Sequence, residues 1–241
     1  MRNCFSCGSL LEFLDTEVDL SCYYCGEQHK SNLWCPEGHF VCPTCYQIPI
    51  TEFIEWIIKT TRSKDPFEIA MMMMGFPQLP DRSCEHAWIF AAALLTAIKN
   101  EGSAKLTDED IFSALETAKE RAVTRATLQT GVCGMGAAVG IAFHAVFKAM
   151  PNRTDLQDDI TMKVVAEAIE YLADNSTNCR CCKNVVWTIM DLIVSLIHAR
   201  FGIELEGSAS DIICHQVGAM VNCDPLTCQF STALDINKLS L

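Results

Sequence analysis

The chain has 241 residues, half of them apolar, with 18 basic against 30 acidic side chains and a net charge of −12. That size and composition allow one or two domains with a sizeable core, and the acidic balance opposes nucleic-acid binding, which draws its affinity from Lys and Arg. Fifteen cysteines and no stretch resembling a signal peptide make a disulfide framework the weaker reading and point to metal ligands kept reduced in the cytoplasm.

The first 45 residues carry four ligand pairs: Cys4-x2-Cys7, Cys22-x2-Cys25, Cys35-x3-His39 and Cys42-x2-Cys45. A two-residue gap lets a tight turn aim two thiolates at one ion, and a tetrahedral zinc takes four such ligands, so this stretch supplies two structural zinc sites. Two pairings satisfy the spacing. Sequential use gives a zinc ribbon of Cys4, Cys7, Cys22 and Cys25 followed by a knuckle of Cys35, His39, Cys42 and Cys45; cross-bracing joins the first pair to the third. Apolar runs at Leu10–Leu14 and at Val18 and Leu20 predict two small strands between the knuckles. His29, four residues past Cys25, reads as a solvated loop histidine, and the net negative charge of this region lacks the basic face of a nucleic-acid-binding ribbon.

From Ile48 onward the apolar period becomes helical, so the chain divides into a two-site zinc module over 1–47 and a helical domain over 48–241. The first helix spans about Thr51–Thr61. Asp65-Pro66 is a cap with proline at the first helical position, opening a helix that ends at Gly75 and whose run Met71 to Met74 reads as core filling. Ser83 caps a strongly apolar helix stopped by Gly102, and Thr107-x2-Asp110 is an approximate capping box for a helix from Ile111 to about Leu128. Gly131–Met150 is a further apolar helix whose Gly136 and Gly140 share one face and leave room for another backbone. An amphipathic helix to Ala173 and a nearly all-apolar one from Lys183 to Arg200 complete the set. The expected fold is mostly α: a small N-terminal zinc ribbon or knuckle module followed by a bundle of five to seven helices, with no apolar stretch suited to a membrane span.

A second cysteine constellation lies in the helical part. Cys84, Cys133 and Cys181-Cys182 fall at predicted helix starts, where free N–H groups and the helix dipole favour a thiolate. Cys214-x8-Cys223-x4-Cys228 forms a loop-like tail. Cys84 and Cys179 also suit buried small hydrophobes, and His144 and His198 suit ordinary core or boundary positions. Cys133, Cys181, Cys182, Cys214, Cys223 and Cys228 are the candidate ligands of a thiolate-held centre, and a set made almost wholly of thiolates suits iron–sulfur better than catalytic zinc. Arg180 and Lys183 would offset its negative charge.

The Cys35-Pro36-x-Gly38-His39-x2-Cys42-x2-Cys45 knuckle, Glu85-His86, Cys133-Gly134-x-Gly136-Ala137-Ala138, Arg180-Cys181-Cys182-Lys183 and the Cys223-x4-Cys228 tail together resemble a cysteine-rich prokaryotic family known only as a domain of unknown function. The resemblance extends over nearly the whole chain. It implies anaerobic metal chemistry beside a radical-SAM or methyltransferase pathway protein, because members accompany or are fused to such proteins. Ser83-Cys84 replaces the family's Gly-Pro before Glu-His, and Ala137 or Ala138 replaces a family cysteine, which puts the family's centre in doubt here. The leading expectation is a cytoplasmic metal protein with two structural zinc ions and an iron–sulfur centre for electron or sulfur transfer. A second reading is a zinc-stabilised adaptor whose acidic surface docks a basic protein or a second copy of the chain. A third is an enzyme with Cys181 or Cys182 as nucleophile, His86 as general base and Glu85 orienting it.

Overall fold

The structure is a computed structural model that describes residues 4, 9–76, 78–80, 82–150, 157–175, 181–214 and 228–231. Two antiparallel strands, β1 (Glu12–Ser21) and β2 (Gln28–Trp34), precede helices α1 (Pro43–Gln47), α2 (Ile50–Thr60), α3 (Pro66–Met74), α4 (Glu85–Glu101), α5 (Asp108–Arg121), α6 (Thr124–Thr130), α7 (Gly134–Ala149), α8 (Gln157–Asn175) and α9 (Cys182–Phe201). The chain is therefore mostly helical. Of these helices, α1 and α6 are short, and the other seven form the bundle.

The two apolar runs near the N-terminus are parts of one strand rather than two. β1 carries both, with an irregularity in register between Phe13 and Val18, and its partner β2 is the polar segment Gln28–Trp34. The reversal between them is the Cys22-to-Cys25 knuckle itself, so the metal-type turn doubles as the hairpin turn. His29 lies on β2, paired opposite Leu20, and not in a loop.

Helix α4 is the axis of the fold. His86, Ala87 and every residue from Ile89 to Ile98 are buried, so the helix is apolar on all sides and needs neighbours all round it. It touches α2, α3, α5, α7 and α9. Polar groups at its C-terminal end fasten it to α2: Lys99 Nζ donates to Ile58 O at 2.8 Å and to Asp108 at 2.7 Å, and Asn100 Nδ2 donates to the carbonyls of Thr61 and Ser63. These bonds satisfy carbonyls at and just beyond the end of α2 that have no partner within the helix.

The cap at Asp65 forms as expected, its Oδ1 accepting from the N–H groups of Phe67 and Glu68. Within the methionine run, Met73 and Met74 are buried, Met72 packs partly against the core, and Met71 is at the surface. Gly136 and Gly140 meet α8, where an added Cβ would stand 3.0 Å from Ile169 and 3.2 Å from Val165. The apolar helix α9 is, among the described residues, the one long and apolar enough to cross a bilayer, and half of its window is buried inside the protein.

Two helix boundaries differ from the sequence expectation for a tertiary reason. The N-cap of α4 is Cys84 and not Ser83. The helix expected to run to Leu128 stops at Arg121, and α6 restarts at Thr124. The indole of Trp88 donates to Ala122 O at 3.1 Å, and the Cys84 N–H donates to Thr124 Oγ1 at 2.9 Å. Both bonds pull the 122–124 segment onto the start of α4, out of helical geometry, and β-branched Val123 and Thr124 resist the break less than good helix formers would.

The capping box of α5 is complete: Asp110 N–H donates to Thr107 Oγ1, and the Thr107 N–H and hydroxyl donate to Asp110 Oδ2. The Thr107 bonds, with Lys148 nearby, hold the Asp110 carboxyl below its ordinary range. Thr107→Ala is expected to cost about 1 kcal/mol in chemical denaturation. Because the folded carboxyl is depressed, its contribution is present above the unfolded value of about 4 and is lost as pH falls through that range. Asp110→Asn should flatten that part of the stability-against-pH curve.

Candidate metal centres

Cys22, Cys25, Cys42 and Cys45 converge so that their four sulfurs all lie within 4.8 Å of one another. Each arrives on a tight turn. The Cys22 N–H donates to Glu27 O at the hairpin end, and Cys42 caps α1, which carries Cys45 on its first turn. The two turns clasp: the Cys42 N–H donates to Cys22 Sγ at 3.4 Å, the Cys45 N–H to Cys42 Sγ at 3.3 Å, and Cys25 Sγ stands 3.8 Å from Cys42 Sγ. Four thiolates held at about 2.3 Å around one tetrahedral ion lie roughly 3.8 Å apart, so the spacing suits a single metal ion.

The thiols of this set diverge electrostatically. Burial works against ionising Cys22, but the N–H groups of Cys25, Cys42 and Tyr24 bring it down to about 7. Cys45 moves far upward through burial and the neighbouring sulfurs of Cys42, Cys25 and Cys22. Full ionisation of such a set needs a cation at its centre.

A second group combines Cys4, Cys35 and His39, again within 4.8 Å, with Cys35 Sγ 3.7 Å from His39 Nδ1. Cys7, the expected fourth ligand, lies outside the described residues. The second ligand pair thus joins the fourth, and Cys4 joins the third pair. This is the cross-braced arrangement, and the sequential ribbon and knuckle are not formed. The reason is geometric: the hairpin turn and the start of α1 are clasped by the Cys42–Cys22 bond and by the Tyr23 N–H donating to Phe40 O at 2.6 Å.

Tyr24, between Cys22 and Cys25, ties this region to the helices. Its ring packs edge-on against Phe53 of α2, with centroids 4.6 Å apart, and its hydroxyl donates to Gly75 O at the end of α3 at 3.0 Å. Burial moves the phenol well above its ordinary value, so it remains a donor.

The helical cysteines occupy a different arrangement. Cys84, Cys133 and Cys181 are the N-caps of α4, α7 and α9, none with a side-chain cap bond, and Cys182 is the first residue of α9. Cys84 Sγ lies 3.5 Å from Thr127 Oγ1 and would stand 3.0 Å from a Cβ placed on Gly134, next to Cys133. Cys133 is within range of the charge on Cys84, and Cys182 within range of Cys133. Cys181 is within charge range of both Cys228 and Cys182, and the Cys228 sulfur accepts from Asn184 Nδ2 at 3.6 Å. Cys214 lies on an isolated bridge to Ser231. The six candidate ligands are therefore not one gathered set: Cys133 lies near Cys84, which the sequence places at a helix start and equally suits as a small hydrophobe, and Cys182 is within charge range of Cys133. Cys223, Cys179 and Arg180 lie outside the described residues, and the described residues form no metal-type group beyond the two N-terminal ones.

The catalytic constellation of Cys181 or Cys182 with His86 and Glu85 is not assembled. Burial lifts the Cys182 thiol to about 11 and raises that of Cys181, the opposite of an activated nucleophile. Burial, with Lys183 adding to it, holds the His86 imidazole down to about 3. Its Nδ1 lies 3.2 Å from Ser83 O, and its Nε2 and Glu85 Oε2 are buried without hydrogen-bond partners. No hydrogen bond joins His86 to either cysteine. Lys183 is itself buried and donates to Met74 O at 3.1 Å, capping the end of α3. His144 and His198 lie on exposed faces of α7 and α9.

A cross-braced set of metal-type ligands joined to a helical bundle rich in cysteine defines a cysteine-rich helical protein with metal-binding capacity. The chain belongs to a family of unknown function, DUF5714, whose profile matches residues 54–231. That span corrects the wider resemblance drawn from the sequence, because the N-terminal ligand pairs lie ahead of it. No curated protein and no solved structure matches the chain.

Two substitutions test this geometry. Tyr24→Phe removes a side-chain donor to Gly75 O and is expected to lower stability by about 1 kcal/mol in denaturant titration while leaving metal content unchanged. A Cβ at Gly134 would press on both Ala122 and Cys84 at 3.0 Å, so Gly134→Val should cost about 1–3 kcal/mol in the same titration.

Proposed function

We propose that the chain is a metal protein of a reducing compartment such as the cytoplasm, with two structural zinc ions in the cross-braced N-terminal region and a thiolate-held iron–sulfur centre in the helical part. The observation that carries the zinc assignment is the Cys22, Cys25, Cys42 and Cys45 set, whose sulfur spacing suits one tetrahedral ion and whose four places are all filled by protein ligands. A closed site of that kind contributes folding energy and leaves no position for a substrate. Four thiols gathered at one point without disulfides, as Cys22, Cys25, Cys42 and Cys45 are, suit a compartment that keeps thiols reduced.

Support for the second centre comes from the thiols at the starts of α7 and α9, where burial raises Cys133, Cys181 and Cys182 and so holds them protonated until a cation replaces the proton. Such a centre suits electron or sulfur transfer to a partner protein, and the net charge of −12 favours a basic docking face on that partner.

Metal and sulfide analysis of anaerobically purified chain tests the assignment. The expected result is about two zinc per chain together with iron and acid-labile sulfide. Zinc near zero would overturn the N-terminal assignment, and zinc without iron would overturn the iron–sulfur centre. Cys22→Ser should lower the zinc content and expose the N-terminal region to proteolysis, whereas Cys214→Ser should change neither.

A further inference from the structure

We infer that the groove between the free edge of β2 and the 40–47 segment is a docking site for an extended, basic segment of a partner protein, which enters as a third strand beside β2. This inference deepens the proposed transfer to a partner with a basic docking face and assigns the surface on this chain that meets it. The groove lies wholly ahead of the family-matched residues 54–231, in the N-terminal region.

The cavity has a volume of about 370 Å³ and is lined by His29, Lys30 and Ser31 on one side and by Phe40, Val41 and Tyr46 on the other. Side chains of successive strand residues point to opposite faces of a sheet. Three consecutive residues of β2 therefore line one cavity because it runs along the edge of the strand rather than over one face. The other edge of β2 pairs with β1, and among the described residues no backbone hydrogen bond joins residues 28–34 to any segment except β1. A strand edge in this state presents N–H and C=O groups to a further strand.

An added strand would lie about 4.8 Å beyond β2, inside this cavity, with its alternate side chains against the rings of Phe40 and Tyr46. An α-helix, about 10–12 Å across, is too wide to enter. The wall opposite β2 is already fixed: the Tyr23 N–H donates to Phe40 O at 2.6 Å, Phe40 and Val41 pack partly against the core, and Tyr46 sits on α1 next to Cys45. Both walls hang from the ligand groups, since β2 runs into Cys35 and the opposite wall spans Cys42 and Cys45.

Charge sets the character of the occupant. Glu12, Asp15, Glu17 and Asp19 lie on β1, and Glu27 stands 3.6 Å from the His29 ring at the end of the groove, against one lysine in the hairpin, Lys30. Lys30 is opposite Asp19 in the ladder, so its charge is answered within the sheet. The field left over the groove is negative and favours Lys and Arg on the incoming segment.

The test uses the full chain, purified anaerobically, and a display library of random linear peptides. Enriched peptides are expected to carry apolar side chains at alternate positions together with Lys or Arg. Hydrogen exchange with a synthetic copy of one such peptide should protect residues 28–34 and 40–46. N-methylation of alternate backbone nitrogens in that peptide should abolish binding in one of its two registers, because strand addition draws on main-chain N–H groups. Tyr46→Ala should weaken binding about tenfold, and Met162→Ala, exposed on α8, should leave it unchanged. Unchanged zinc content and denaturation midpoint control for the folding of Tyr46→Ala, and the wild-type exchange footprint stands independently of any variant. Enriched peptides that are acidic, that protect other surfaces, or that bind equally well when N-methylated in either register overturn the inference, as does a library that yields none. Protection of residues 28–34 and 40–46 by self-association of the chain alone assigns the groove to a second copy and overturns it too. Metal analysis of the same sample separates this inference from the iron–sulfur reading: peptide binding without iron leaves the docking site standing, and iron without peptide binding overturns the docking site alone.

Discussion

The constraint on which the rest of the structure depends is the helix α4, which has no face suited to water. A helix apolar all round is stable only when other elements surround it, and α2, α3, α5, α7 and α9 do so. Surrounding one helix with several others brings their ends into register at its two poles. At the C-terminal pole the polar groups of Lys99 and Asn100 are consumed in fastening α2. At the N-terminal pole the start of α4, carrying Cys84, lies against the start of α7 at Gly134, next to Cys133. The location of the thiols thus follows from the packing of one greasy helix rather than from any local motif.

The N-terminal region is joined to this body through an aromatic wedge. Tyr24 sits inside the first knuckle of the best-formed sulfur set, so the turn that gathers the thiols also orients the ring against Phe53 and the hydroxyl toward the end of α3. Two lysines perform a related task within the bundle, where the buried Lys183 caps α3 and the half-buried Lys99 caps α2. In each case a side chain from elsewhere completes a helix terminus that its own sequence leaves open.

Much of this was legible in the amino-acid sequence because it is governed by local rules. The Asp65-Pro66 cap, the Thr107/Asp110 box, the stop at Gly102 and the helical period of residues 51–61 are decided within a few residues, and the structure reproduces them. The ligand pairs were legible through their spacing for the same reason. Their partition was not, because cross-braced and sequential pairings share the same spacings and differ only in which turns are clasped together. The break between α5 and α6 was hidden likewise, since it is made by Trp88 and Cys84 reaching over from α4. β2 was hidden because its polar residues carry no apolar alternation, and the approach of Cys84 to the start of α7 was hidden because the sequence places cysteines at helix starts without showing which starts meet.

The interleaving of the N-terminal ligand pairs makes that region a laced structure rather than two beads on a string. Each ligand group spans a segment that contains half of the other group, so closing one loop shortens the search for the second. Loss of either set of contacts would free chain that the remaining set needs to stay closed. The closing of the two groups is therefore tied together, each holding chain ends that the other needs. Because Tyr24 hangs from the same lacing, that linkage extends to the end of α3 and the buried helices behind it.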